Sequence, residues 1–140
     1  MLAVIVALAI AAAGQPLQEE EEEPGIAPTA PITYGGAAYQ AAWDRAQMYE
    51  GNSTVQAWHA ETFGPALNDE MTRIYLACTP TGQAPTPFTA VLSFDREGKV
   101  DGVFVDRRTR ESQCIAERFA SLTGPVPPVR DFAEEVRIVP

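Results

Sequence analysis

FTAVLSFDREGKVDGVFVD, residues 88–106, is the stretch whose reading decides the fold. Phe88, Ala90, Leu92 and Phe94 alternate with Thr89, Val91 and Ser93, so a strand here carries its large apolar side chains on one face. Asp95-Arg96-Glu97-Gly98-Lys99 is turn-forming, with Gly98 suited to a positive φ. Val100 to Asp106 then returns as the second arm of a hairpin.

Downstream, a helix is predicted from about Thr109 to Leu122. Ile115, Phe119 and Leu122 form its apolar stripe, Ala116 sits at the edge, and Gly124-Pro125 ends it. After the stiff Val126-Pro127-Pro128, residues 133–139 read as a closing strand with Val136 and Ile138 on one face. Its mixture of Glu and Arg suits an edge protected by charge.

Upstream of the hairpin, Thr79 to Pro87 reads as a loop. Met71 to Cys78 reads as a further strand, with Thr72, Ile74, Leu76 and Cys78 on its core face. Before it, Tyr39, Ala42, Trp43, Ala46 and Tyr49 recur at helical spacing over residues 37–50, with Gly51 as a left-handed stop. Ser53-Thr54-Val55-Gln56 matches a capping box opening a second helix, which Gly64-Pro65 is expected to end. The predicted order is α-α-β-β-β-α-β. This is an α+β domain, with an N-terminal helical hairpin and a third helix packed on one face of a small antiparallel β-sheet.

The N-terminus has a different character. Leu2 to Ala13 is an unbroken run of twelve apolar residues. A transmembrane helix needs roughly 20, so the run suits a signal h-region better. Ala11-Ala12-Ala13-Gly14 offers cleavage after Ala13 or Gly14, although no Lys or Arg precedes the run. A cleaved signal and the tail of a membrane anchor both remain open; membrane contact is expected only if the segment is uncleaved. Residues 15–33, with Glu19 to Glu23 and prolines at 16, 24, 28 and 31, read as a disordered linker. The expected organisation is therefore a signal over 1–14, a linker over 15–33 and a single α+β domain over 34–140.

The formal charge is -9, of which the run of five glutamates supplies more than half. An acidic domain with one short basic cluster is a poor partner for nucleic acid or anionic lipid, because nothing neutralises phosphate along a stripe. The two cysteines, Cys78 and Cys114, are expected to form a disulfide, as an even pair in an exported chain does. Closing that loop would stabilise the domain by about 4 kcal/mol in the chain-entropy model.

Constellations with chemical meaning are few. His59-Ala60-Glu61 has the H-x-E spacing of zinc deaminases, but the P-C-x-x-C pair which that chemistry requires is not in the sequence. The chain's single histidine leaves a catalytic metal site short of ligands, and no G-x-S-x-G elbow occurs. Arg107-Arg108-Thr109-Arg110 reads as the solvated end of a strand, neutralised by Asp101, Asp106 and Glu111. Asn52-Ser53-Thr54 matches the glycosylation sequon, and Tyr39, Trp43, Tyr49 and Trp58 read as core. No catalytic residue, metal or cofactor is expected, and the protein is not expected to be an enzyme. The alternatives are a small secreted hydrolase using His59 with Glu61 or a free cysteine, and an assembly or stability factor with no ligand.

From Phe88 to Val139 the sequence resembles the C-terminal domain of the TonB energy-transducer family. The likeness lies in the strand, the acidic-glycine turn, the valine strand Val100 to Val105, the helix after it, Pro125-Val126-Pro127-Pro128 and the closing strand. It spans just over a third of the chain, and the apolar N-terminus with its Glu/Pro-rich spacer adds to it. The resemblance implies a periplasmic or secreted module that binds a protein or peptide of the cell envelope by edge-strand pairing. The residues expected to carry that pairing are Val136, Arg137 and Ile138.

Overall fold

The computed structural model describes residues 29–80 and 85–139. The signal and most of the linker expected at the N-terminus lie outside those residues. Strand β1 is Ile32–Tyr34, followed by helix α1 over Gly36–Glu50 and α2 over Ser53–Trp58. A π-helical turn, His59–Phe63, runs into α3, Gly64–Cys78. The hairpin strands are β2, Phe88–Phe94, and β3, Val100–Val105; α4, Arg110–Phe119, and β4, Ala133–Ile138, complete the chain. Among the described residues no helix is long and apolar enough to cross a membrane.

The fold is α+β, and the hairpin forms where its alternation places it: β2 pairs with β3 antiparallel from Ala90–Val105 to Phe94–Val100. Gly98 has φ 89°, and Asp95 accepts the amides of Glu97 and Lys99 at 2.9 Å each, which locks the turn. The four strands lie in the order β1-β3-β2-β4. The sheet is mixed rather than antiparallel throughout, because β1 joins β3 in parallel, Ile32 opposite Val103. The folded domain therefore begins before residue 34, and residues 32–33 are strand instead of linker. A three-residue strand has no readable period of its own; the edge of β3 orders it, helped by Ala30 N–H donating to the Ala120 carbonyl at 3.1 Å.

Helices cover both faces of the sheet, which corrects the expected one-sided packing. Ala90, Leu92, Phe94, Val103 and Val105 face the main core with Phe63, Leu67, Ile74, Ile115, Phe119 and Phe132. Val91, Phe104 and Ala133 face the other way, against Ala42, Ala46, Tyr39 and Trp43 of α1. The hint was in β2 itself: Val91 is an apolar residue on the nominally polar face, and it is fully buried. The link from α1 to α2 consequently passes around the sheet margin rather than over one face.

Met71 to Cys78 is helix, not strand. Leu67, Ile74 and Cys78 are buried at helical spacing while Leu76, expected inside, is 64% exposed. Gly64-Pro65 does not stop the chain either. Proline lacks an N–H and is tolerated in a first helical turn, and the preceding π turn satisfies Gly64 N–H with the carbonyl of His59. Two smaller differences concern helix ends. Gly51 has φ -91°, so α1 ends without a left-handed residue. Asn52, not Ser53, caps α2, its side chain accepting from Val55 N–H at 3.0 Å.

The disulfide is present: Cys78 at the end of α3 is bonded to Cys114 in α4, with Cα atoms 5.7 Å apart. It fastens the helix immediately before the hairpin, α3, to the helix that follows it, α4.

Candidate functional site

Among the described residues strand β4 lies at the end of the sheet and pairs on one side only, with β2. Its hydrogen-bond phase is set by Phe94 N–H, which donates to the Phe132 carbonyl at 3.0 Å. In an antiparallel ladder bonded residues alternate, so with Leu92 opposite Glu134 and Ala90 opposite Val136, residues 134, 136 and 138 bond to β2. Ala133, Glu135 and Arg137 direct their amides and carbonyls away from β2; Ala133 is buried, which leaves Glu135 and Arg137 at the accessible part of the edge. Of the three residues expected to carry edge pairing, only Arg137 presents its backbone to a partner. Val136 and Ile138 are spent on β2, with Ile138 buried and Val136 partly so.

Beside this edge lies a cleft of about 400 Å³. One wall is the end of α1 with Ala46, Tyr49 and Glu50; the other is Val55, Gln56 and His59; the floor is Phe132 to Glu135. Tyr49 Oη donates to the Arg130 carbonyl at 2.7 Å and so ties the α1–α2 connection to the chain just ahead of β4.

His59 Nε2 is 2.8 Å from Glu134 Oε2. The π turn positions the imidazole, which stacks on Phe63 with ring centroids 5.0 Å apart. Burial pushes the Glu134 carboxyl above its ordinary range, the hydrogen bond and charge of His59 pull it back, and Glu50 and Glu135 push it up again. Glu135, one residue on, points to the opposite face. It accepts from Trp43 Nε1 at 3.2 Å, Gln47 Nε2 at 2.9 Å and Arg137 Nε at 2.9 Å. Burial raises its carboxyl, but those three donors outweigh burial and hold it below the usual range.

Glu61 is exposed on the π turn, so the His59–Glu61 pairing does not form; His59 is paired with Glu134 instead. Glu134 was legible in principle. Sharing a strand face with Val136 and Ile138, it had to point an acid toward an apolar layer, and a chain with one histidine offers one imidazole to meet it. Both cysteines are in the bridge, which removes the free-cysteine alternative. In the basic cluster, Arg108 stacks over the Tyr34 ring at 5.1 Å and Arg110 lies 4.0 Å from Glu111. Asp106 instead accepts Thr89 N–H, and Asp101 accepts from Ser93 Oγ. The aromatic set divides, with Tyr39 and Trp43 against one sheet face and Tyr49 and Trp58 against the other. Among the described residues no group of three or more His, Cys, Asp or Glu could hold a metal ion.

Compared with protein-family models, with curated proteins and with solved structures, the chain matches none.

Proposed function

We propose that this chain is an exported, non-enzymatic protein-binding module of the cell envelope, TonB-like in residues 88–139, that captures an extended segment of a protein partner along β4. The observation that carries the reading is the open edge: outward amides and carbonyls at Glu135 and Arg137, beside a cleft of about 400 Å³. Main-chain bonds to such an edge supply affinity, and pockets for alternate side chains supply selectivity. The Cys78–Cys114 bridge is consistent with an oxidising compartment such as the periplasm or the exterior.

The outward phase dictates the test. Proline at 136 would break the ladder to β2, whereas Arg137→Pro removes only an outward donor and leaves that ladder whole. Peptides selected from a random displayed library on the wild-type protein are expected to lose about tenfold or more in affinity for Arg137→Pro, roughly one strong hydrogen bond. The amides of Glu135 and Arg137 should gain hydrogen-exchange protection when such a peptide binds. Selected peptides that bind both proteins equally and leave those amides exchanging freely would sink the proposal.

His59 with its carboxylate in the cleft favours a second reading, general-base hydrolysis. Ester and peptide substrates turned over equally by wild type and His59→Gln would remove it.

A further inference from the structure

We propose that the outer edge of β4 also pairs with the same edge of a second copy of this chain, antiparallel about a two-fold axis through Val136. The inference rests on the open edge that the proposed function uses, and self-pairing and partner capture exclude one another. A two-fold axis normal to the sheet makes two identical edges antiparallel and self-complementary. The outward phase falls on residues 133, 135, 137 and 139, and Ala133 is buried under α1, so the bonded pairs at the centre of the new junction are made by Glu135 and Arg137.

Charge then chooses among the registers. Centring the pairing on Glu135 places that residue opposite itself, and centring it on Arg137 does the same for arginine; like charges directly opposite destabilise a ladder. Centring it on Val136 places each Glu135 opposite Arg137 of the second copy. Within one chain, Arg137 already reaches Glu135, two residues away, at 2.9 Å. A bonded cross-strand pair brings Cα atoms to about 5.5 Å, closer than residues two apart along one strand. Each carboxylate would therefore be bracketed by two guanidinium groups, and each guanidinium by two carboxylates.

The side chains are prepared for this. Glu135 is held in place by Trp43 and Gln47, with 7% of its side chain exposed, while Arg137 is 67% exposed and bonded to its own Glu135, so in the pair its guanidinium lies between two carboxylates. On the opposite face the two Val136 side chains meet at the axis, each beside a groove of about 250 Å³ lined by Met71, Tyr75 and Ile138. Pairing strands of six residues buries an area at the low end for protein interfaces, so self-association is expected at micromolar concentrations or above.

Sedimentation equilibrium of the full chain with its disulfide intact, from about 1 µM to about 1 mM, tests this against the expected micromolar range. A concentration-dependent dimer is expected. Arg137→Glu and Glu135→Arg should each weaken it about tenfold or more, because both cross-strand pairs become like-charged. An equimolar mixture of the two variants should associate again, since every pair across the mixed junction is then opposite in sign. Glu135 is hydrogen-bonded within its own chain, so its variant is first checked by near-ultraviolet circular dichroism. If Glu135→Arg does not fold, Arg137→Glu against a dimeric Arg137→Lys gives the same decision. A monomer throughout, or a dimer indifferent to these reversals, overturns the inference. Selected peptides that still protect the Glu135 and Arg137 amides of a monomeric chain would leave the proposed function standing alone.

Discussion

Gly98 bears the severest steric demand in the hairpin turn. Its φ of 89° suits glycine, and a β-carbon there would lie 2.7 Å from the Pro125 carbonyl oxygen. Gly98→Ala is expected to destabilise the protein by about 2–3 kcal/mol, strain and overlap together, read as a lowered denaturant midpoint at unchanged slope. Glu134 makes a second prediction at this scale. Its carboxyl is raised, by burial first, so between the ordinary glutamate range and the raised value the native state binds more protons than the unfolded chain. Stability from this group is thus fully present below the unfolded value and lost as pH rises through the folded one. Unfolding measured from about pH 4 to about pH 7, a window opening near the ordinary glutamate value, should show Glu134→Gln gaining on wild type as pH rises. Parallel curves would mean that Glu134 titrates as a surface group. The buried acid could be read from residues 133–138, since alternation assigns its face; its meeting with His59 could not, because 75 residues separate them.

Elements differed in legibility according to how much of their pattern was local. Helix α4 carries its own start signal: Thr109 accepts Ser112 N–H at 3.0 Å, and Ser112 Oγ accepts Thr109 N–H at 2.7 Å. Thr109→Ala should cost about 1 kcal/mol, measured as a shift in the unfolding midpoint, while Thr109→Ser should hold near wild type. A loss under a few tenths would show that Ser112, bonded also to the Arg107 carbonyl, holds the helix start alone. Helix α3 failed the strand reading because eight residues of alternation fit both periods once Met71, Ile74 and Tyr75 fall together. What decided it lay upstream, in a π turn that lets Gly64-Pro65 open a helix instead of closing one. The edge character of β4 was readable from its charges. Which of its residues face outward was not, because that phase depends on the partner strand.

At the scale of the whole molecule the disulfide is the covalent tie, joining positions 36 apart in sequence. Reduction is expected to lower stability by about 4 kcal/mol. For a domain near 100 residues, each 1 kcal/mol moves the melting temperature by roughly 4–8 °C, so reduced protein should melt far below oxidised protein. Near-coincident melts would mean that helix packing alone holds α3 to α4. The two-sided sheet sets the other large-scale property: α1 on one face and α2 to α4 on the other leave the β4 margin as the place where both helical layers end and the cleft opens.

By itself the sequence determined the α+β class, the hairpin and its glycine turn, the helix after it, the charged last strand and the pairing of its only two cysteines. Each of these rests on period, turn chemistry or composition within a short window. Tertiary structure alone decided that Ile32–Tyr34 is a strand, that α1 crosses to the far face, and that Met71 to Cys78 stays helical. It also decided that Glu134 meets His59 and that Glu135 and Arg137 face outward. Those outcomes depend on which surfaces remain unburied once the hairpin has formed, a competition among distant segments that no local pattern records.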